Sequence, residues 1–135
     1  MSNASERYTA SKHCVYNISY HLIWCPKYRR LVLKDGIDTR LKELLIEKAY
    51  ELDVKIESME VLPDHVHLFV KSNPILPIHH IVNQFKGYSS RILRSEFPYL
   101  KSRLPSLWTH SYYCETIGHI SEETIRKYIE DQKRV

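Results

Sequence analysis

Two histidines one residue apart, His65 and His67, stand in the stretch Leu62-Pro63-Asp64-His65-Val66-His67-Leu68-Phe69-Val70-Lys71. After the Pro-Asp turn this stretch alternates with period two, which predicts a short β-strand. Val66, Leu68 and Val70 then face one side of a sheet, and His65, His67 and Phe69 the other. Imidazoles two residues apart on a strand lie roughly 7 Å from one another. They can lean onto one cation, with the carboxylate of Asp64 beside them. Two solvated histidines on an edge strand would have the same sequence. The pair therefore means a metal site only if the chain also supplies a third ligand and a reactive group.

The C-terminal segment holds candidates for both. Ser121 is an N-cap, Glu122 and Glu123 fall in the first turn, and Lys133 and Arg134 come at the end, a charge order that suits the helix dipole. In this predicted helix, 121–134, Thr124, Tyr128 and Gln132 are spaced i, i+4, i+8 and form one polar stripe. Ile125 and Ile129 lie on an adjacent face and would anchor it. If the stripe docks on the histidine side of the sheet, Gln132 offers an amide oxygen as third ligand and Tyr128 a phenol close to the ion. Taken alone, without the histidine pair, the stripe reads more readily as a surface helix with an exposed Tyr and Gln. Gly118 just before it is a natural pivot.

The elements that must position these groups follow from the pattern of the chain. Residues 1–12 are polar and predict a flexible arm. Cys14, Tyr16, Ile18, Tyr20, Leu22 and Trp24 alternate with Asn17, Ser19 and His21, a half-buried strand. It runs into Lys27-Tyr28-Arg29-Arg30, where cations flank a ring as in turns that grip a nucleic-acid backbone and stack on a base. Asp35-Gly36 marks a turn, Asp38 is the expected N-cap, and Ile37, Leu41, Leu44, Leu45 and Leu52 predict an amphipathic helix to about Leu52. Val54 to Leu62 predicts a strand whose apolar parity changes between Ile56 and Met59, the mark of a β-bulge. A hairpin through Pro63-Asp64 leads into the His-Val-His strand. A second helix, Ile78 to about Arg94, carries the inward stripe Ile78, Ile81, Val82, Phe85, Ser89 and Ile92, with Lys86, Tyr88 and Arg91 on other faces. Gly87 in its middle suggests close approach by a backbone or ligand. Pro98 and Pro105 bracket a loop with Lys101 and Arg103, and Leu107 to Thr116 predicts a fourth strand. The order β-α-β-β-α-β plus a C-terminal helix predicts an α+β, ferredoxin-like antiparallel sheet with both helices on one face. Those helices cover the Val66/Leu68/Val70 side and leave the His65/His67 side to the last helix.

The composition is compatible with this and narrows the partners. The chain has 135 residues, enough for one domain with a real core, and 43% hydrophobic and 27% charged residues are globular values. A net charge of +4 suits an anionic partner. No apolar run reaches membrane-span length, and the polar stretch 1–12 lacks a signal-peptide core, so no secretory signal is expected. Cys14, Cys25 and Cys114 are odd in number and unpaired in spacing, so they predict buried thiols on strands rather than a disulfide framework or zinc cage. A cytoplasmic location is the expectation.

Four blocks together are specific. They are Trp24-Cys25-Pro26-Lys27-Tyr28-Arg29-Arg30, Asp64-His65-Val66-His67-Leu68, Phe85-Lys86-Gly87-Tyr88-Ser89-Ser90-Arg91, and Gly118-His119-Ile120-Ser121 through Tyr128-Ile129-Glu130-Asp131-Gln132. In this order, from Cys14 onward, the chain resembles the single-tyrosine transposases of the IS200/IS605 group within the HUH (His-hydrophobe-His) nucleases. The resemblance implies His65, His67 and Gln132 as metal ligands and Tyr128 as nucleophile. Asp64, Glu130 or Asp131 could compete with Gln132 for a hard cation. It further implies a homodimer whose terminal helices pack against the partner's histidines, giving composite active sites, and single-stranded DNA hairpins as substrate. Lys27, Tyr28, Arg29, Arg30, Lys86, Tyr88 and Arg91 are the candidates for gripping that DNA, with Lys101 and Arg103 behind them.

The chemistry agrees. A phenol of pKa about 10 is a poor nucleophile at neutral pH unless its charge is stabilised. Mixed nitrogen and oxygen ligands without thiolate suit Mg²⁺ or Mn²⁺, which polarise a scissile phosphate. Attack by Tyr128 would leave a 5′-phosphotyrosine and a free 3′-OH, so strands can be rejoined without ATP. Three other readings stay open. A relative of the same fold could process hairpins without mobilising an element. A ferredoxin-like RNA- or DNA-binding module could carry incidental histidines, with Phe69 as a stacking residue. A phosphodiesterase using water would make Tyr128 dispensable.

Overall fold

The computed structural model describes residues 9–10 and 15–117, together with Arg126 and Glu130, both of which have helical backbone. In chain order the elements are β1 (Thr9–Ala10), β2 (Val15–Tyr16), β3 (Ser19–Trp24), α1 (Ile37–Glu51), β4 (Lys55–Leu62), β5 (His65–Lys71), α2 (Ile78–Glu96), α3 (Tyr99–Arg103) and β6 (Tyr113–Thr116). The main sheet has the order β4-β5-β3-β6 and every pair in it is antiparallel. With α1 and α2 between these strands, this is the ferredoxin-like βαββαβ arrangement that the hydrophobic periodicity predicts.

The period-two pattern of the strands decides which side becomes the core. Leu22, Trp24, Val66, Leu68 and Val70 are buried together with Ile37, Leu41, Leu44 and Leu45 of α1 and Ile81, Val82, Phe85 and Leu93 of α2. Fully burying one such aliphatic side chain contributes about 1.5–3 kcal/mol, so this layer holds the helices on one face. His21, Ile23, His65, His67 and Phe69 have the opposite parity and share the other face. A register shift between Ile56 and Ser58 marks the bulge in β4.

Several expectations need correction. The continuous strand from Cys14 to Trp24 is two pieces, β2 and β3, broken at Asn17 and Ile18. Within the expected flexible arm, Thr9 and Ala10 pair with Tyr16 and Val15, so backbone groups of β2 gain partners. The first helix starts earlier than Asp38: Gly36 is the N-cap, at φ 96°, because Ile37 is already buried in the core. Asp38 sits in the first turn, where its carboxylate still meets the helix dipole. The loop between Pro98 and Pro105 contains the short helix α3, which buries Leu100. The last strand is shorter than Leu107–Thr116. Trp108 instead enters the core edge-to-face against Trp24, with centroids 5.9 Å apart, and only an isolated bridge joins it to Pro26. Among the described residues no backbone closes on Gly87, since a Cβ there would meet nothing within 4 Å.

Candidate active site

The site begins with register. β3 and β5 pair so that Trp24 faces Val66 and Ile23 faces His67. One residue past Trp24 the chain therefore leaves β3 beside His65, and the basic turn Lys27–Arg29 arrives next to the Pro63-Asp64 turn. Backbone hydrogen bonds fix it there: Lys27 N–H donates to Leu107 O at 2.8 Å and Leu33 N–H to Pro63 O at 3.1 Å. The turn is tight. Tyr28 and Arg29 both take left-handed backbone conformations, at φ 61° and 51°, a region that non-glycine residues seldom adopt.

That placement brings Arg29 to Asp64. An Arg29 guanidinium N–H donates to Asp64 Oδ2 at 3.1 Å, while Asp64 Oδ1 is 2.8 Å from His65 Nδ1. Burial pushes the Asp64 carboxyl up, but the hydrogen bonds from His65 and Arg29 outweigh it and hold the group below its ordinary value. An ionised carboxylate can only accept, so His65 Nδ1 carries the proton and a neutral ring keeps its lone pair on Nε2. His67 has a looser counterpart, with Nδ1 3.7 Å from Glu60 Oε2, beyond hydrogen-bond range.

Both Nε2 atoms are buried, and neither has a hydrogen-bond partner among the described residues. Orphaned buried nitrogens are costly in a native structure and call for an explanation. Burial, then the neighbouring His65, lowers the His67 pKa to about 4, so His67 is neutral at physiological pH and available as a ligand. Two imidazoles whose buried Nε2 atoms have no partner among the described residues, one of them oriented by a carboxylate, are a donor set fit for a divalent cation. Among the described residues no group of three His, Cys, Asp or Glu side chains could hold a metal. Tyr128 and Gln132, the expected nucleophile and third ligand, lie outside the described residues.

The nucleic-acid candidates separate into two groups. Lys27, Tyr28, Arg29 and Arg30 stand at the histidine end of the sheet, with Tyr28 63% exposed and Lys27 Nζ 5.3 Å from its ring. Lys86, Tyr88 and Arg91 sit on α2, on the helical side of the sheet. Lys86 Nζ donates to Thr109 O at 2.5 Å and Ser111 O at 3.3 Å. Tyr88 donates to Glu47 of α1 at 2.7 Å, and the Lys48 ammonium lies 4.5 Å from its ring. Both are committed to holding the fold. Arg91 is exposed, 5.7 Å from the Tyr88 ring. Cys25 and Cys114 are free thiols, half-buried rather than buried, with Cys25 beyond the end of β3; Cys14 lies outside the described residues.

One residue escaped the sequence reading. His21 is fully buried on the histidine face, edge-to-face with His67 at 4.2 Å and stacked on Phe69 at 4.9 Å. Burial, then His67, lowers its pKa to about 4 against a weaker upward pull from Glu115. The signal was present: His21 shares the polar parity of Asn17 and Ser19, which assigns it to the side opposite the core.

Comparison with known proteins matches this chain to the family described as "Transposase IS200 like" over residues 14–132. The ISDra2 transposase TnpA of Deinococcus radiodurans is 40% identical over 120 residues, 87% of this chain and 86% of that protein. The transposase for insertion sequence element IS200 of Salmonella typhimurium is 30% identical over 123 residues, 89% of this chain and 80% of that one. Among solved structures, a candidate transposase of Deinococcus radiodurans superposes with a TM-score of 0.79 at 37% identity, covering 92% of this chain and 97% of that one. A REP-associated tyrosine transposase bound to a REP hairpin superposes with a TM-score of 0.60, covering 89% and 67%, and at 13% identity speaks for the fold alone.

Proposed function

The chain belongs to the IS200-like transposase family, and from that premise we propose that it cuts and rejoins single-stranded DNA through Tyr128. The observation that carries the proposal is the pair of buried Nε2 atoms on His65 and His67 that have no partner among the described residues. Their donor chemistry fits a divalent metal, with Gln132 as the third protein ligand in this reading. Mg²⁺ or Mn²⁺ held there would act as a Lewis acid toward the scissile phosphate. In the reaction the Tyr128 oxygen bonds to phosphorus, the phenolic proton is lost, and the bond from phosphorus to the 3′ oxygen breaks. The products are a 5′-phosphotyrosine and a 3′-OH, whose oxygen takes up a proton. A second 3′-OH reverses the exchange and joins new ends, with no net loss of phosphodiester bonds.

Single-stranded hairpin DNA is the proposed substrate, as the REP-associated relative was solved with a hairpin. Lys27, Arg29 and Arg30 would meet its phosphates and exposed Tyr28 an unpaired base. Lys86 and Tyr88 have protein partners, so the turn after β3 takes the larger share and Arg91 a peripheral one. A homodimer with composite active sites completes the reading.

The test is a denaturant-resistant adduct between the protein and labelled hairpin DNA in Mg²⁺ or Mn²⁺. Tyr128→Phe should abolish the adduct and keep binding, and His67→Ala should abolish it through loss of metal. Mixing the two variants should restore the adduct if one site draws on two chains. Cleavage that survives Tyr128→Phe would make the enzyme a phosphodiesterase using water. Binding without any cleavage by the wild type would make it a binding module.

A further inference from the structure

We propose that Asp64 is a positioning residue for this site, a carboxylate clamp that fixes the His65 ring and ties it to the basic turn through Arg29. The inference rests on reading His65 and His67 as metal ligands. Its geometry is asymmetric. Asp64 Oδ1 accepts a hydrogen bond from His65 Nδ1–H at 2.8 Å, and its other oxygen accepts one from Arg29 at 3.1 Å. The carboxylate is therefore held through both oxygens, which restrains its rotation away from the ring. A neutral imidazole can protonate either nitrogen, and only the Nδ1–H form presents a lone pair at Nε2. A carboxylate acceptor selects that form and makes Nε2 more basic. Among the described residues His67 has no comparable clamp, because Glu60 stands 3.7 Å away and is more than half exposed.

Arg29 gives the clamp a second consequence. It belongs to a turn held in left-handed backbone conformations at Tyr28 and Arg29, the same turn that presents Tyr28 and Arg30 to solvent. The side chain that anchors this turn therefore shares one carboxylate with a metal ligand. Neither group can be displaced without disturbing the acceptor of the other.

The test uses the full-length protein freed of metal and titrated with Mn²⁺ alone, without DNA, with long-range ¹H–¹⁵N spectra reading the His65 tautomer. Asp64→Ala should bind Mn²⁺ about 10–100-fold more weakly, the usual loss for removing the partner of a metal-bound histidine, and His65 should lose its preference for the Nδ1–H form. Asp64→Asn keeps an acceptor oxygen, so it should retain the tautomer and lose affinity only through the missing charge. Glu60→Gln should change affinity less than Asp64→Asn. Wild-type affinity and tautomer in Asp64→Ala would overturn the clamp. A wild type that binds Mn²⁺ no better than His67→Ala would instead overturn the metal reading and the inference with it.

Discussion

The histidine face should make the metal-free protein sensitive to mild acid. His21 and His67 are buried with pKa values near 4, whereas an unfolded chain titrates histidine near 6.5. Between those values the unfolded state binds more protons, so stability falls as pH drops. At pH 5 the linkage relation gives a loss of about 2 kcal/mol for each ring relative to pH 7.5. The lowered His21 value already contains repulsion from the His67 ring 4.2 Å away, so the two losses are not fully additive and the pair together should cost on the order of 2–4 kcal/mol. Asp64 does not confuse this window. Its carboxyl is depressed from 3.8, and the stability it contributes is lost only as pH falls below that range. Urea unfolding in EDTA at pH 7.5, 6.5, 5.5 and 5 measures the slope directly, and His67→Gln should remove about half of it. A wild-type stability that stays flat across this range would refute the claim that these imidazoles are folded in their neutral form. So would a His67→Gln variant with the full wild-type slope.

Other perturbations separate what the backbone needs from what the side chains do. Gly36→Ala should destabilise by about 1–2 kcal/mol because φ is 96° there, whereas Gly87→Ala should stabilise by about 0.5–1 kcal/mol because nothing lies within 4 Å of the added methyl; thermal unfolding of both variants checks the opposite signs. Ser89→Ala should cost about 1–3 kcal/mol in urea unfolding, since the buried Trp108 indole N–H donates to Ser89 Oγ at 3.0 Å and would lose its acceptor. Asn73→Ala should cost about 2–4 kcal/mol by the same measurement: its amide donates to Leu52 O and Asp53 O and accepts from the backbone of Ile75 and Leu76, joining the α1–β4 and β5–α2 connections.

What the sequence discloses about this fold is local periodicity, and what it withholds is the identity of partners. The alternation of Val66, Leu68 and Val70 against His65 and His67 assigns each residue to a face whatever strand lies next door. The helical stripe through Ile81, Phe85 and Ser89 does the same for α2, and the parity change in β4 becomes a real register shift. The contacts that give the site its chemistry are of another kind. Arg29 and Asp64 are 35 residues apart, and no spacing rule links them. They meet because β3 and β5 pair with Trp24 opposite Val66. His21 reaches His67 through the same register, as a diagonal neighbour across two strands. Lys86 and Tyr88 look like free contacts for DNA until Thr109, Ser111 and Glu47 appear beside them. The face a residue occupies is written in its own segment, but its hydrogen-bond partner is written in another one. A cation on a turn is thus only half a functional statement, and the carboxylate that Arg29 shares with His65 supplies the other half.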